Sequence, residues 1–594
     1  MEKNVAIEVK SLNKKFKSGY GIFDVNFEVE YGKVFGYLGP NGAGKSTTLR
    51  ILLGFMKADS GNSLLQYDIK DTKKPSIEQL VSYDSWTDSH KIQRKLGYVP
   101  GEIAFPIHMT GIELLKQIFK LRNMDDWEIV KKYIEYWEFN PNMKIKKMSK
   151  GMKQKVALII AWMHNPDIIV LDEPTTGLDP LMQDKFIKLV KKSKDEGKAI
   201  ILSSHIFSEI EKTCDYVSII KRGKIISTIN IKDIQYNDEK KYEVCFKNNI
   251  NYETINSPNW EIIDVEKNSI FVLIKNENIN KFISLLSKNE ISFIKEHPLN
   301  LEQYFMKYYK NEITKDVVKI NNTYKPKKRT SKNCKVSLEL LRDTSRKSIW
   351  LWTFMTFVPV LMILIAFAVL LTNPSISSQI ESGKTTWNIL ISNMVVKMVA
   401  STTGIVYMLL LIYILISGNG LIASEVEKGT LVNLLTTNQS RKSIILSKMF
   451  TFLAFITLSC LIVYLTTLLG ITLTGHVASV DLSLITIYFI GLYLLLVMIS
   501  SISFISSCYF NKSAYSLSAA GGIAILFYIF YFISQIDDSV SFFKYLTLNS
   551  LYNPSFQSKS EIKSYLGQYF VMGIISISLY TSGYFIFRKK DLPL

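Results

Sequence analysis

The chain has 594 residues, with 71 Lys and Arg against 52 Asp and Glu, a formal charge of +19 and a mean hydropathy of +0.13. At roughly 150 residues per domain this length excludes a single compact fold. High charge and high hydropathy coexist because two unlike halves are averaged: residues 1 to about 347 are rich in Lys and Glu with soluble patterning, whereas 349–587 holds several apolar runs near the ~20 residues that span a bilayer. Lys residues interleave with Glu, Asn and Ile, the pattern of a solvated surface, so no nucleic-acid partner is expected. Cys214, Cys245, Cys334, Cys460 and Cys508 are scattered and odd in number. That spacing suits neither a disulfide framework nor a zinc site and places the soluble half in a reducing cytosol. Met1 to Lys10 has no apolar h-region, so no cleavable signal peptide is expected.

In chain order, Val34-Phe35-Gly36-Tyr37-Leu38 reads as a buried strand and runs directly into Gly39-Pro40-Asn41-Gly42-Ala43-Gly44-Lys45-Ser46, a GxxxxGK[ST] loop in its required context. The glycines let backbone N–H groups point at phosphate oxygens, and the helix beginning near Lys45 adds its positive dipole end. Gly39, Asn41, Gly42, Gly44, Lys45, Ser46 and Thr47 are therefore the candidate phosphate-binding residues, with Lys45 reaching the β- and γ-phosphates and the Ser46 hydroxyl ligating Mg²⁺. Next comes Gly97-Tyr98-Val99-Pro100-Gly101-Glu102. Met148-Ser149-Lys150-Gly151-Met152-Lys153-Gln154 leads a helix to about Trp162, with Ser149 placed to cap it. Ile168 to Leu171 is a β-branched strand ending in Asp172-Glu173, one carboxylate for the metal's water shell and the next, Glu173, as candidate general base for the attacking water. Thr176-Gly177-Leu178-Asp179 follows, and His205 closes the strand Ala199 to Ser204.

Together these positions resemble the nucleotide-binding domain of ATP-binding cassette (ABC) proteins over nearly all of residues 1–225. The resemblance implies an α/β P-loop fold binding ATP and Mg²⁺, in which Phe16 stacks on adenine, Ser149 and Gly151 belong to the signature motif, Asp179 is the D-loop acid and His205 the switch histidine. Two departures stand out. The signature reads MSKGM where the family usually has LSGGQ, and Gly101-Glu102 stands where the Q-loop glutamine is usual, so that either Glu102 joins the metal shell or the loop only signals. In this family a nucleotide is sandwiched between the P-loop of one domain and the signature of another. One copy of each per chain implies two chains, most simply a homodimer, with a heterodimer as the alternative.

Residues 226–310 read as a small mixed extension of the ATPase domain, ending in Leu301-Glu302-Gln303-Tyr304-Phe305 and resembling the appendage of cassettes from ABC-2-type exporters. A basic linker, 311–335, and an interfacial connecting helix, 336–348, follow. An all-α membrane domain, 349–594, should hold six spans, near 350–371, 399–422, 449–473, 483–507, 514–534 and 567–587. With this layout eleven Lys and Arg fall on the side of Arg441, Lys442 and the C-terminus and five on the other, which puts the ATPase domain and C-terminus in the cytoplasm. Glu425-Val426-Glu427-Lys428-Gly429-Thr430-Leu431 resembles the coupling element of ABC-2 permeases, and Phe587 to Leu592 is also similar to that family.

The resemblance implies a fused ATPase–permease half-transporter of the bacterial cytoplasmic membrane. SKGMKQK and GYVPGE look like the branch that exports antimicrobial and cytolytic peptides, the phenol-soluble-modulin exporters of staphylococci in particular. Its cargo would be a short amphipathic α-helical peptide taken from the cytosol or the inner leaflet, with membrane lipid as the surrounding partner. A multidrug, antibiotic, lipid or polysaccharide exporter and a non-transporting resistance or signalling sensor are the alternatives.

Overall fold

The computed structural model describes residues 4–70, 78–235, 239–247, 255–266, 268–297, 301–302, 305, 337–372, 387–473, 481–552 and 559–593. The expected linker 311–335 lies outside them. The chain divides into two compact units, Met1–Ile103 with Thr110–Leu115 and Asp126–Lys328, and Ala104–Met109 with Lys116–Asp125 and Arg329–Leu594.

In the first unit, β1 (Val5–Lys15), β2 (Gly21–Glu30), β4 (Ser60–Lys70) and β5 (Glu78–Asp84) make an antiparallel sheet in the order β2-β1-β4-β5. A second sheet runs β10-β9-β3-β8-β7-β6, from β3 (Val34–Leu38), β6 (Leu96–Val99), β7 (Ile168–Asp172), β8 (Ala199–Ser204), β9 (Tyr216–Lys221) and β10 (Lys224–Asn230). Its strands are parallel except for the β9–β10 hairpin. Every residue of β3, β7 and β8 is buried. A parallel strand covered on both faces has no polar side, which is why these segments are unbroken apolar runs. Helices α1 (Lys45–Leu52), α2 (Ser89–Ile92), α3 (Gly111–Leu121), α4 (Glu128–Trp137), α5 (Lys150–Trp162), α6 (Pro180–Asp195) and α7 (Phe207–Thr213) fall between the strands.

The expected boundary at 225 falls inside β10, which pairs with β9 and belongs to the main sheet. After α8 (Ile231–Gln235), β11 (Glu239–Phe246), β12 (Trp260–Glu266), β13 (Ser269–Lys275) and β14 (Ile291–His297) form a separate sheet, β12-β13-β11-β14. One face buries Val244, Phe246, Ile270 and Val272 against Phe282 and Leu286 of α9 (Ile279–Leu286).

In the second unit six helices are long and apolar enough to cross a membrane, among the described residues. They lie within α10 (Leu338–Thr372), α11 (Trp387–Leu421), α14 (Arg441–Leu473), α15 (Leu482–Tyr509), α16 (Ser513–Ile533) and α17 (Lys559–Lys589), with the short α12 (Ala423–Glu427) and α13 (Val432–Leu435) between the second and third. The six expected spans coincide with these. The connecting helix expected at 336–348 is not a separate element: α10 runs unbroken through Ser348 and Ile349, because nothing there interrupts helical hydrogen bonding, and even Pro359 sits within it. Small residues set the closest helix approaches. A Cβ on Gly470 of α14 would lie 2.2 Å from the Phe367 ring of α10, so only glycine allows this contact.

Candidate nucleotide site

Chain topology assembles the site at one end of the second sheet. β3, β8 and β7 are neighbours and parallel, with Leu38 opposite Ser204 and Asp172 opposite Ser203. The loops that leave their C-terminal ends therefore start side by side, where open α/β sheets bind ligands. Lys45, Ser46, Asp172, Glu173 and His205 meet there, although up to 160 positions separate them in the sequence.

The phosphate loop turns through left-handed backbone at Gly42 (φ 79°) and Gly44 (φ 112°). A Cβ on Gly44 would also meet Ile22 Cγ2 at 2.8 Å, so both conformation and space require glycine. Asn41 and Gly42 are exposed at the loop tip. Thr47 is half-buried on α1, and the next residue, Thr48, bonds the Gly44 carbonyl at 3.1 Å. The Lys45 ammonium is buried beneath the loop and donates to the carbonyls of Gly39 at 2.6 Å and Pro40 at 3.2 Å. Burial pushes the Lys45 ammonium below its usual value, while Glu173 and Asp172 resist that shift. A buried cation and a backbone nest beside it fit a polyphosphate.

Asp172 is buried at the end of β7, and burial raises its carboxyl above the usual range against a hydrogen bond from Ser46. That carboxylate and hydroxyl suit a hard cation. Glu173 holds left-handed backbone (φ 48°), costly for a side chain of its size, and its N–H donates to the Ser203 carbonyl at 2.8 Å. The turn aims its carboxylate at His205, whose Nδ1 lies 3.1 Å from Glu173 Oε1. Base and switch candidates are thus paired directly.

Glu102 is exposed, and the position facing Asp172 belongs to its neighbour: a Cβ on Gly101 would lie 3.4 Å from Asp172 Oδ2. No three His, Cys, Asp or Glu side chains gather into a metal cluster among the described residues. Phe16 is half-buried in the tight turn between β1 and β2, with its N–H on the Tyr20 carbonyl.

The remaining candidates stand apart. Ser149 caps α5 by accepting from Met152 N at 3.2 Å, and Asp179 caps α6 by accepting from Met182 N at 2.9 Å. Both are exposed. A Cβ on Gly151 would lie 2.5 Å from the Gly177 carbonyl, which ties the start of α5 to the loop after Glu173. No hydrogen bond or ion pair connects Ser149, Gly151 or Asp179 to Lys45 or Asp172 among the described residues.

Sequence reasoning missed Glu209. It is buried on α7, and Ser204 donates to its Oε2 at 2.5 Å. Burial raises its carboxyl above the usual range, while hydrogen bonds from Ser204 and Thr175 oppose the shift. Ser204 also accepts from Ile206 N, so Glu209 braces the turn that carries His205. The available signal was an acid in the first turn of a short helix, between the strand that ends at Ser204 and the buried Ile210 and Thr213.

In the second unit the coupling-element candidate forms two short helices, α12 and α13, joined through Gly429 (φ 68°). Glu425 is buried there rather than displayed. It pairs with Lys448 of α14 at 2.5 Å and with Lys347 of α10 at 2.8 Å, and Lys347 also pairs with Asp343 at 2.7 Å. Burial alone would raise the Glu425 carboxyl, but Lys347 and Lys448 overcome it and hold it down at about 2. The same unit includes residues 116–125, from which Arg122 donates to the Thr436 carbonyl at 2.6 Å and accepts from Asn438 at 2.9 Å through its own carbonyl.

Comparison with known proteins agrees with this layout. The family described as ABC transporter matches residues 22–176, and the family described as ABC-2 family transporter protein matches 341–592. An uncharacterised ABC transporter ATP-binding protein of Methanocaldococcus jannaschii is 37% identical over 234 residues, 38% of this chain and 79% of that protein. A bacitracin transport ATP-binding protein of Bacillus licheniformis is 28% identical over 309 residues, 51% of this chain and 96% of that protein. A lantibiotic transport ATP-binding protein of Streptococcus pyogenes is 28% identical over 248 residues, 42% of this chain and 98% of that protein. The chain belongs to the ABC transporter family, with an ATP-binding cassette followed in the same polypeptide by an ABC-2 family membrane domain.

Proposed function

We propose that two copies of this chain form an ATP-driven exporter of amphipathic peptides in the bacterial cytoplasmic membrane, with cassette and C-terminus on the cytoplasmic side. The observation that carries this reading is the convergence of Lys45, Asp172, Glu173 and His205 at neighbouring strand ends, in a chain that also carries six membrane-length helices. Glu173, held by its strained turn and by His205, would take the proton of the attacking water. Ser46 and Asp172 would hold Mg²⁺, which when bound neutralises charge on the β- and γ-phosphates.

The exposed signature serine and D-loop aspartate support the homodimer. They have no partner in the chain's own phosphate site, so a second copy would bring its Ser149, Gly151 and Asp179 to complete it. Each nucleotide would then be fully bound only in the closed pair, and that differential affinity would drive the membrane helices between states. Membership of residues 104–109 and 116–125 in the membrane unit supplies a route for that motion through Arg122 and Thr436.

Peptide cargo is favoured by the bacitracin and lantibiotic transport relatives. Inverted vesicles holding the purified protein should accumulate a labelled amphipathic helical peptide on adding Mg-ATP, and its presence should stimulate hydrolysis. Accumulation of a small dye or a lipid instead would move the reading to a multidrug or lipid exporter. ATP-dependent conformational change with no flux would make the protein a sensor.

A further inference from the structure

The extension of the cassette ends in Leu301-Glu302-Gln303-Tyr304-Phe305, a run that the nucleotide chemistry leaves unused. It follows β14 closely in the chain and belongs to the same compact unit as the phosphate site. Leu301 is fully buried and Phe305 is 9% exposed, so both are packed rather than solvated. Their contacts fall on α7, the helix that begins just after His205. The Phe305 ring meets that of Phe207 edge-on, with centroids 5.2 Å apart and planes at 64°. The Leu301 N–H donates to Glu211 Oε1 at 2.5 Å. Leu301 and Phe305 have helical backbone and stand four positions apart, as do Phe207 and Glu211 on α7, so one helical stripe meets another.

The position of α7 depends on such contacts. It has seven residues, and helices shorter than ~12 residues are marginal in water on their own. Its inner side, Glu209, Ile210 and Thr213, is buried. Ile210 packs towards β3, where a Cβ on Gly36 would meet Ile210 Cγ2 at 3.1 Å, and Glu209 is held by Ser204. Phe207 and Glu211 lie outside that buried set, and the end of the extension covers them. Phe207 stands two residues from His205, whose Nδ1 lies 3.1 Å from Glu173 Oε1. The His205 side chain is itself 54% exposed, so the backbone of the turn, rather than packing, sets its place. That backbone is continuous with α7, and a helix held on both sides fixes it. Catalytic geometry is sensitive on this scale, since a misplacement of ~1 Å caused from a distance can cost ~10²-fold in rate.

We propose that Leu301 and Phe305 are positioning residues for hydrolysis: they clamp the outer side of α7 and so hold His205 against Glu173, which makes the extension a working part of the cassette. This role rests on the reading of Glu173 as base and His205 as its partner. It is tested on the purified full-length protein by kcat and KM for ATP, beside equilibrium ATP binding and the number of ATP sites per chain. Phe305→Ala should lower kcat about tenfold, within the range that such a misplacement causes, and leave KM, ATP affinity and site number unchanged. Phe305→Leu refills most of the apolar volume and should recover most of the rate. Glu211→Ala removes only the acceptor of the Leu301 N–H and should lower kcat about threefold, the scale of one ordinary hydrogen bond, so it carries the test if Phe305→Ala does not fold. In a His205→Ala background, adding Phe305→Ala should change the remaining single-turnover rate by less than about twofold, because a residue that acts through another adds nothing once that other is gone. A site number that falls in step with kcat would assign Phe305 to folding alone and overturn the proposal. Wild-type kcat in both single variants, or a full further loss in the His205→Ala background, would overturn it too. Failure of the reading beneath it shows separately, as wild-type hydrolysis by His205→Ala, and would remove this role with it.

Discussion

Glu173 and Lys45 carry the sharpest expectations at the scale of single residues. Glu173→Gln keeps the size and the turn but cannot accept a proton, so ATP binding should persist while turnover falls ~10²–10⁴-fold, measured by equilibrium nucleotide binding beside phosphate release. Near-normal hydrolysis would remove Glu173 as the base. Lys45→Ala should weaken ATP binding at least about tenfold, the scale of a lost charge-assisted hydrogen bond. Glu209 has a pH signature. Its carboxyl and that of Asp172 are both raised in the fold, chiefly by burial, so folding takes up protons. Their effect on stability is therefore most favourable below the unfolded carboxylate value of about 4 and declines as pH rises through the folded values. Glu209→Gln keeps an acceptor for Ser204 and should flatten this decline in denaturant unfolding of the nucleotide-free protein. An unchanged slope would exclude Glu209 as a source.

Individual elements show how local chemistry is recruited for position. The left-handed glycine at 44 lets β3 pass into α1 within one loop, and the exposed cap at Ser149 starts α5. α12 is held by charge: Glu425 fastens it to α10 through Lys347 and to α14 through Lys448. Glu425→Ala would leave Lys448, which is 2% exposed, without its carboxylate. Breaking one side of such a buried pair costs about 3–5 kcal/mol, so a clear drop in the melting temperature of the purified protein is expected. A melting temperature equal to wild type would show that α12 is held by packing alone.

At the scale of the whole molecule, the separation of Ser149 and Asp179 from the phosphate loop turns stoichiometry into an experiment. A copy carrying Lys45→Ala and a copy carrying Ser149→Arg should each be inactive alone. Purified through two different tags as a mixed pair, they should regain activity from about one of two sites, because the intact loop of one then faces the intact signature of the other. Absence of recovery would exclude a shared site between two copies. The same separation explains the reach of sequence reading here. The loop Gly39–Ser46, the acids Asp172 and Glu173, and His205 were legible because their chemistry lies in short runs of fixed residue types beside apolar strands. Glu209 was not, since its meaning lies in burial against Ser204, and the motif that begins at Glu425 does not show its carboxylate buried between Lys347 and Lys448.

By itself, the sequence determined the order of the two parts, the P-loop chemistry and the six membrane-length helices, all of which follow from local patterns of glycine, apolar residue and charge. Tertiary structure alone decided that β10 joins the main sheet, that α10 is continuous through Ser348, that Glu173 meets His205, and that Lys347, Glu425 and Lys448 converge from three elements. The reason is physical: strand pairing, helix continuity and buried ion pairs are set by contacts between distant segments, and residue order along the chain holds no distance between them.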